Sequence, residues 1–275
     1  MKNCAAIQMA SGPDVEANLL EAERLIGAAA DAGAGLLVLP ENFALMGRTE
    51  FDKLDHMEDV GDGIIQQFLA DTARHNSVWI VGGTMPMVAS VSGKIRASCL
   101  VFDDRGQQVA RYDKMHLFDV DVPGTDEQYR ESDTIEAGTE PVVLDTPFGR
   151  LGLAICYDLR FPELFRRMLS SSVEIIVLPA AFTEKTGAAH WEVLIRARAV
   201  ENLCYVVAAA QGGFHVNGRQ THGRSMIVDP WGKVLDKKDT GPGYALARID
   251  LQLLNRLRSS FPVLDHRLLE CGELP

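Results

Sequence analysis

The chain has 275 residues, 47% of them hydrophobic, which is enough for one large α/β domain with a filled core or for two small ones. A net charge of −11, from 27 basic and 38 acidic residues, argues against a nucleic-acid partner held by phosphate neutralisation, although a few local arginines can still attract an anionic small molecule. No apolar run reaches transmembrane length and the first nine residues lack the apolar core of a secretion signal, so a cytoplasmic protein without a membrane partner is expected.

Residues 4–9 are a short apolar segment, and Asn18–Ala32 carries apolar residues at helical spacing before Gly33 and Gly35. Leu36–Leu39 is a strand too apolar to have a wet face, which favours an α/β architecture over an open antiparallel sheet. It runs into Pro40-Glu41-Asn42-Phe43, so Glu41 stands at a sheet rim, either as a site carboxylate or as a capping or solvated loop acid. Ile64–Arg74 reads as a second helix, Val78–Thr84 as a strand ending in a glycine turn, and 96–103 with 108–112 as paired strands around Asp103-Asp104-Arg105-Gly106. Lys114 follows in Tyr112-Asp113-Lys114-Met115-His116-Leu117-Phe118; a lysine at a strand end is ordinarily just solvated. Residues 119–140 read as one long irregular connection containing Glu131.

The second half repeats this plan. Strands are expected at 142–146 and 150–155, then a helix at 162–170 with Pro162 in its first turn. Cys156 falls in the strand-to-helix turn between them, where backbone N–H groups favour an anion; a cysteine among Leu, Ile and Ala can equally be an inert buried hydrophobe. Ile175–Phe182 echoes Leu36–Phe43, each an aliphatic run, a proline, two residues and a phenylalanine, which suggests two similar βα halves meeting around one site. Ala188–Asn202 is a helix, Tyr205–Ala209 a buried strand, Ser225–Asp229, Val234–Asp236 and Tyr244–Ile249 a closing set of strands, and Leu251–Arg258 a last helix. No linker or charge block divides the chain, so residues 1–275 are read as one domain. The five cysteines at 4, 99, 156, 204 and 271 show no Cys-x-x-Cys spacing, which disfavours both a disulfide scaffold and a structural zinc site.

Glu41, Lys114 and Cys156 thus each follow a strand, in Leu-Pro-Glu-Asn-Phe, Tyr-Asp-Lys-Met-His-Leu-Phe and Gly-Leu-Ala-Ile-Cys-Tyr-Asp-Leu-Arg-Phe-Pro-Glu-Leu. Together, and in this order and spacing, they resemble the three signatures of the nitrilase, or carbon–nitrogen hydrolase, superfamily. The resemblance extends from the first strand to about residue 267. It implies a four-layer αββα sandwich, a Glu-Lys-Cys site with no metal and no cofactor, and a homodimer or higher homo-oligomer. It also implies a second glutamate near the site, matched here to Glu131 in Gln128-Tyr129-Arg130-Glu131-Ser132.

Those residue types suit acyl transfer. A free thiol, with a pKa of about 8.5, is only a few per cent thiolate at neutral pH, so a neighbouring base and a cation both help. In such a scheme Glu41 takes the Cys156 proton and Lys114 holds the oxyanion, while Glu131 orients Lys114 or the substrate amide. His116 is the runner-up base. A non-catalytic scaffold has no need of the three residues together, and a redox-sensing thiol would want a resolving cysteine that the sequence does not place nearby.

Within the superfamily, Lys114–Gly124, Thr186–Glu201 and Cys204–Gln211 resemble the Nit branch. What this implies is a small carboxylate-bearing amide as substrate: deaminated glutathione, cleaved to 2-oxoglutarate and cysteinylglycine, or, as the alternative, 2-oxoglutaramate. Such a substrate needs cations in its pocket. Arg160 is the first candidate for a carboxylate fork, against a structural ion pair with Asp158 or Glu163. Tyr157, Phe182, Thr183 and His190 are further lining candidates, whereas Trp191 is expected to pack in the core.

Overall fold

In the computed structural model, which describes residues 2–269, the first strand already buries both of its faces. Strand β1 (Lys2–Gln8) sets Cys4 and Ala6 into one apolar cluster and Ala5 and Ile7 into another; β2 (Ala34–Val38) alternates in the same way, with Leu36 and Val38 on one side and Leu37 on the other. A strand covered on both faces must lie between layers. Met1 and residues 270–275, including the Cys271 counted above, lie outside the described residues.

Helices α1 (Val15–Asp31) and α2 (Ile64–Asn76) form one outer layer, seating Leu25, Ile26, Ile65 and Leu69 on Ala5, Ile7, Leu37 and on Ile80 of β3 (Trp79–Val81). After β4 (Met85–Val88), β5 (Ile95–Phe102) and β6 (Gln108–Asp113), a small hairpin of β7 (Asp119–Asp121) and β8 (Gln128–Arg130) leads into a 3-10 turn at Glu131–Asp133. The second half runs β9 (Val142–Thr146), β10 (Gly149–Leu153), a 3-10 turn at Cys156–Arg160, α3 (Pro162–Ser170), β11 (Ile175–Ala180), α4 (Glu184–Asn202) and β12 (Tyr205–Ala210). A second hairpin, β13 (Gly212–Phe214) with β14 (Gln220–His222), precedes β15 (Met226–Val228), β16 (Val234–Lys237), β17 (Gly243–Ile249) and α5 (Leu251–Ser260).

The first sheet has the order β17-β1-β2-β3-β5-β4 with β6 added on β5, and the second β16-β15-β12-β11-β10-β9. At the centre of each lie three parallel strands joined by two helices: β1-β2-β3 through α1 and α2, and β10-β11-β12 through α3 and α4. The aliphatic-Pro-x-x-Phe echo therefore falls on equivalent strands, β2 and β11. Between the sheets, Cys4, Ala6, Leu36 and Val38 share a core with Leu151, Ile176 and Val207, and Phe165, Met168, Trp191 and Ile195 of α3 and α4 cover the second sheet. The result is a four-layer αββα sandwich.

Three expectations are corrected. The closing strands do not form one set: β15 and β16 pair in the second sheet, and β17 crosses back to pair antiparallel with β1, Ala5 facing Leu246. The segment 119–140 is not wholly irregular, since Asp119–Asp121 and Gln128–Arg130 pair as a hairpin. Helices α1 and α4 begin three and four residues earlier than the apolar pattern does, because Asp14 and Thr183 cap polar first turns by accepting from the N–H groups of Ala17 and Thr186. Among the described residues no helix is long and apolar enough to cross a membrane.

The two sheets are joined at the carboxyl ends of their parallel strands. Met9 bridges Gln211, with the Gly212 N–H donating to the Met9 carbonyl at 2.7 Å. The Gln211 amide donates to Ser11 Oγ at 2.8 Å and to the Glu41 carbonyl at 3.1 Å, fixing the backbone that carries Glu41 across the seam.

Candidate active site

Glu41 leaves β2 through Pro40 into a turn where Asn42 has φ +58° and donates its N–H to Thr84 Oγ1 at 2.8 Å. This turn packs on Gly83, itself at φ +57°, where a Cβ would stand 2.1 Å from the Pro40 carbonyl oxygen; only glycine fits there. Lys114 follows β6, its N–H donating to Ala97 and its carbonyl accepting from Gly138. Glu131 sits in the 3-10 turn after the first hairpin.

These three side chains meet. Lys114 Nζ donates to Glu41 Oε1 at 2.8 Å and to Glu131 Oε1 and Oε2 at 2.8 and 2.7 Å, with the lysine only 1% exposed. The Phe118 N–H donates to Glu131 Oε2 at 2.8 Å and holds that carboxylate in place. The Glu41 carboxylate and the Ala181 N–H both lie close enough to the Cys156 thiol to act on its titration.

Cys156 itself has φ +46°, a left-handed conformation unfavourable to any side chain and maintained only where the surroundings over-determine it. Buried Asp158 supplies that constraint. One of its oxygens accepts from the Ile155 N–H at 2.8 Å and from Tyr112 OH at 2.7 Å; the other accepts from the His116 N–H at 3.1 Å and contacts His116 Nδ1 at 2.7 Å. His116 stacks on Phe161 with ring centroids 3.8 Å apart and does not line the pocket, so it is part of this brace and not a base beside the thiol.

Burial pushes the Cys156 thiol well above its ordinary value and the Glu41 charge adds to this, while Lys114 and the Ala181 N–H only partly offset the rise. Burial alone would raise Glu41, but Lys114, the Cys156 thiol and Arg219 together hold it below the usual carboxylate range. Lys114 is desolvated too, yet Glu131 and Glu41 keep it firmly protonated. The resting site is therefore a neutral thiol beside a carboxylate that an ammonium keeps ionised. It is arranged to accept a proton and to hold a developing oxyanion.

A narrow cleft opens above Cys156. Tyr157, Arg160, Phe182 and Thr183 all line it. The Arg160 guanidinium lies over the Phe182 ring at 5.1 Å and the Tyr157 ring at 5.9 Å and bonds His190 Nδ1 at 3.1 Å, so neither Asp158 nor Glu163 ties it down. His190 is a correction: it is exposed and stands behind Arg160 instead of lining the pocket, because it lies more than a turn into a helix that starts at Glu184. Trp191 packs in the core as expected, its Nε1–H donating to the Arg224 carbonyl.

Sequence reasoning missed Phe118, Thr186 and above all Arg219, which also line the pocket. Arg219 enters from the second hairpin, between β13 and β14, stacks over Tyr129 at 4.9 Å and donates to the Ala181 carbonyl. Asn217-Gly218, a strong hairpin signal, was legible in the sequence; that the hairpin folds over the site was not.

Residues 3–259 match the carbon–nitrogen hydrolase family, to which the chain belongs. It is an amide-hydrolysing enzyme of that family. It is 44% identical over 274 residues to the deaminated glutathione amidase of Yersinia enterocolitica, a match covering 99% of this chain and 95% of that one. The crystal structure of Caenorhabditis elegans NitFhit superimposes with a TM-score of 0.88 at 38% identity, covering 97% of this chain, which spans 65% of that longer protein. That of Saccharomyces cerevisiae Nit3, a member of branch 10 of the nitrilase superfamily, gives 0.87 at 28% identity, covering 98% and 97% of the two chains.

Proposed function

We propose that the protein hydrolyses deaminated glutathione to 2-oxoglutarate and cysteinylglycine, with Cys156 as nucleophile, Glu41 as general base and acid, Lys114 as oxyanion holder and Glu131 as the group that orients Lys114. The observation that carries the chemistry is the buried Lys114 ammonium held on the Glu41 carboxylate at 2.8 Å, at the pocket that Glu41 and Cys156 both line. The substrate is carried by likeness to relatives named for that activity and by the cation Arg160 beside the nucleophile.

As the thiol attacks the amide carbon, its proton passes to Glu41 and the carbonyl oxygen gains charge between Lys114 Nζ and the Tyr157 N–H. A lost donor at such a position costs about 3 kcal/mol in other enzymes. Glu41 returns the proton to the departing amine nitrogen, leaving a thioester on Cys156. Water, deprotonated by Glu41, then cleaves the thioester, and the thiol recovers its proton. Arg160 binds a carboxylate of the acyl half, with Tyr157, Phe182 and Thr183 as walls.

The site draws Glu41 from the carboxyl end of a strand in one sheet and Cys156 from that of a strand in the other, which supports residues 1–275 working as one domain. Exposed Val193 and Val200 on α4 are an apolar strip suited to a homo-oligomeric contact.

The test is release of 2-oxoglutarate by the purified protein from deaminated glutathione and from 2-oxoglutaramate at equal concentration, with Cys156→Ala as control. Faster turnover of deaminated glutathione supports the assignment. Preference for 2-oxoglutaramate would keep the chemistry and replace the substrate.

A further inference from the structure

Arg219 is a half-buried cation with an unfinished hydrogen-bond set. Its Nε is shielded from solvent and has no partner among the described residues, while one terminal nitrogen donates to the Ala181 carbonyl and its plane lies on the Tyr129 ring. An arginine N–H left unpaired in a desolvated place costs stability unless a ligand completes it. The loop that delivers it is firmly tied: the Asn217 amide donates to the Gly47 carbonyl at 2.9 Å, and the Arg219 N–H donates to Asn217 Oδ1 at 3.0 Å.

Its position is equally specific. Arg219 lines both the pocket above Cys156 and a wider, more open groove formed by Arg48, Thr49, Glu127, Tyr129 and Asn217. Arg160 lines the pocket but not that groove. The nucleophile thus has two separate arginines, and Arg219 is the one that also borders the wider groove. In a thioester mechanism the amine must leave while the acyl group stays on sulfur, so the leaving half fits the wider groove that Arg219 borders.

We propose that Arg219 binds the carboxylate of the leaving-amine half, and so selects amides whose amine carries an acid group a few bonds from the scissile nitrogen. This rests on the substrate assignment above and extends it: Arg160 serves the acyl carboxylate and Arg219 the distal one. An amide that releases only ammonia leaves Arg219 unfilled, which discriminates against short amides such as 2-oxoglutaramate. Glu50 in the groove acts on the cation only in part, because its carboxylate is paired first with Lys53 at 2.6 Å.

The experiment compares 2-oxoglutaryl-cysteinylglycine with the same compound ending in a carboxamide, on the unaltered protein, Arg219→Gln and Arg219→Lys, reading kcat/KM. The unaltered protein is expected to prefer the free acid by about 30-fold, the size of a desolvated charge-assisted pair, and Arg219→Gln to prefer it by less than about 3-fold. Arg219→Lys keeps the charge without the fork and is expected in between. A purely structural role for Arg219 would lower both compounds in parallel and leave the ratio intact, which would overturn the proposal. Inactivity of the unaltered protein on both compounds would overturn the substrate assignment, and this inference with it.

Discussion

Glu131 grips the Lys114 ammonium with both carboxylate oxygens, at 2.8 and 2.7 Å, whereas Glu41 holds it with one. The lysine is thereby aimed by the glutamate that does not touch the thiol, leaving Glu41 free to take a proton. Glu131→Gln preserves shape and removes the charge. It is expected to lower kcat by about 100-fold, comparable to losing an oxyanion donor, and to reduce stability by a few kcal/mol, since it leaves a buried cation half-paired. Steady-state kinetics and denaturant unfolding check it; an unchanged kcat would remove Glu131 from the site.

Glu41→Gln separates the base from the thiol. The Glu41 charge raises the Cys156 pKa, so the variant's thiol should titrate lower than the native one even as amidase activity falls by about 1000-fold. Ultraviolet thiolate absorbance, referenced to Cys156→Ser, measures the titration. A thiol that titrates higher in the variant would contradict the arrangement.

Asp158 ties Tyr112, His116 and the Ile155 N–H to the Cys156 turn. Asp158→Ala should cost about 3–5 kcal/mol by leaving buried donors unpaired and should release the strained backbone at Cys156. Unfolding and activity are expected to fall together. Full activity in a destabilised Asp158→Ala protein would show that the brace does not position the thiol.

Glu50 gives a pH signature. The Lys53 ammonium beside it, helped by Arg219 and Lys114, outweighs burial and lowers its carboxyl to about 2 from an ordinary 4.5. A depressed folded-state pKa means stability that is present above the unfolded value and lost as pH falls through the folded one. Glu50→Gln should therefore be less stable than the native protein near neutral pH, and the gap should close between about pH 4.5 and about pH 2. A gap constant through that window would show that Glu50 is not paired in the folded state.

The parallel strands and their helices were legible because residues such as Leu36–Leu39 and Ile175–Leu178 are apolar on both faces and the helices between them keep a 3.6-residue period. Asp119–Asp121 and Gln128–Arg130 were illegible as strands because they are polar and pair only with each other. The sheet choice of β17 depends on which edge lies nearer in space, which no local pattern encodes. At the site, Glu41, Lys114 and Cys156 stand at strand ends and carry recognisable surroundings, and the structure brings them together with Glu131. Arg219 carries none: it is one arginine in a polar loop, and its proximity to Cys156 arises only when the second hairpin folds over the seam.

The most direct test of the central claim is peptide mapping by mass spectrometry of protein acid-quenched during turnover of deaminated glutathione. The account predicts a 2-oxoglutaryl thioester on the peptide containing Cys156, absent from Cys156→Ala, which should also release no 2-oxoglutarate. An acyl adduct on any other residue, or undiminished turnover by Cys156→Ala, would contradict it.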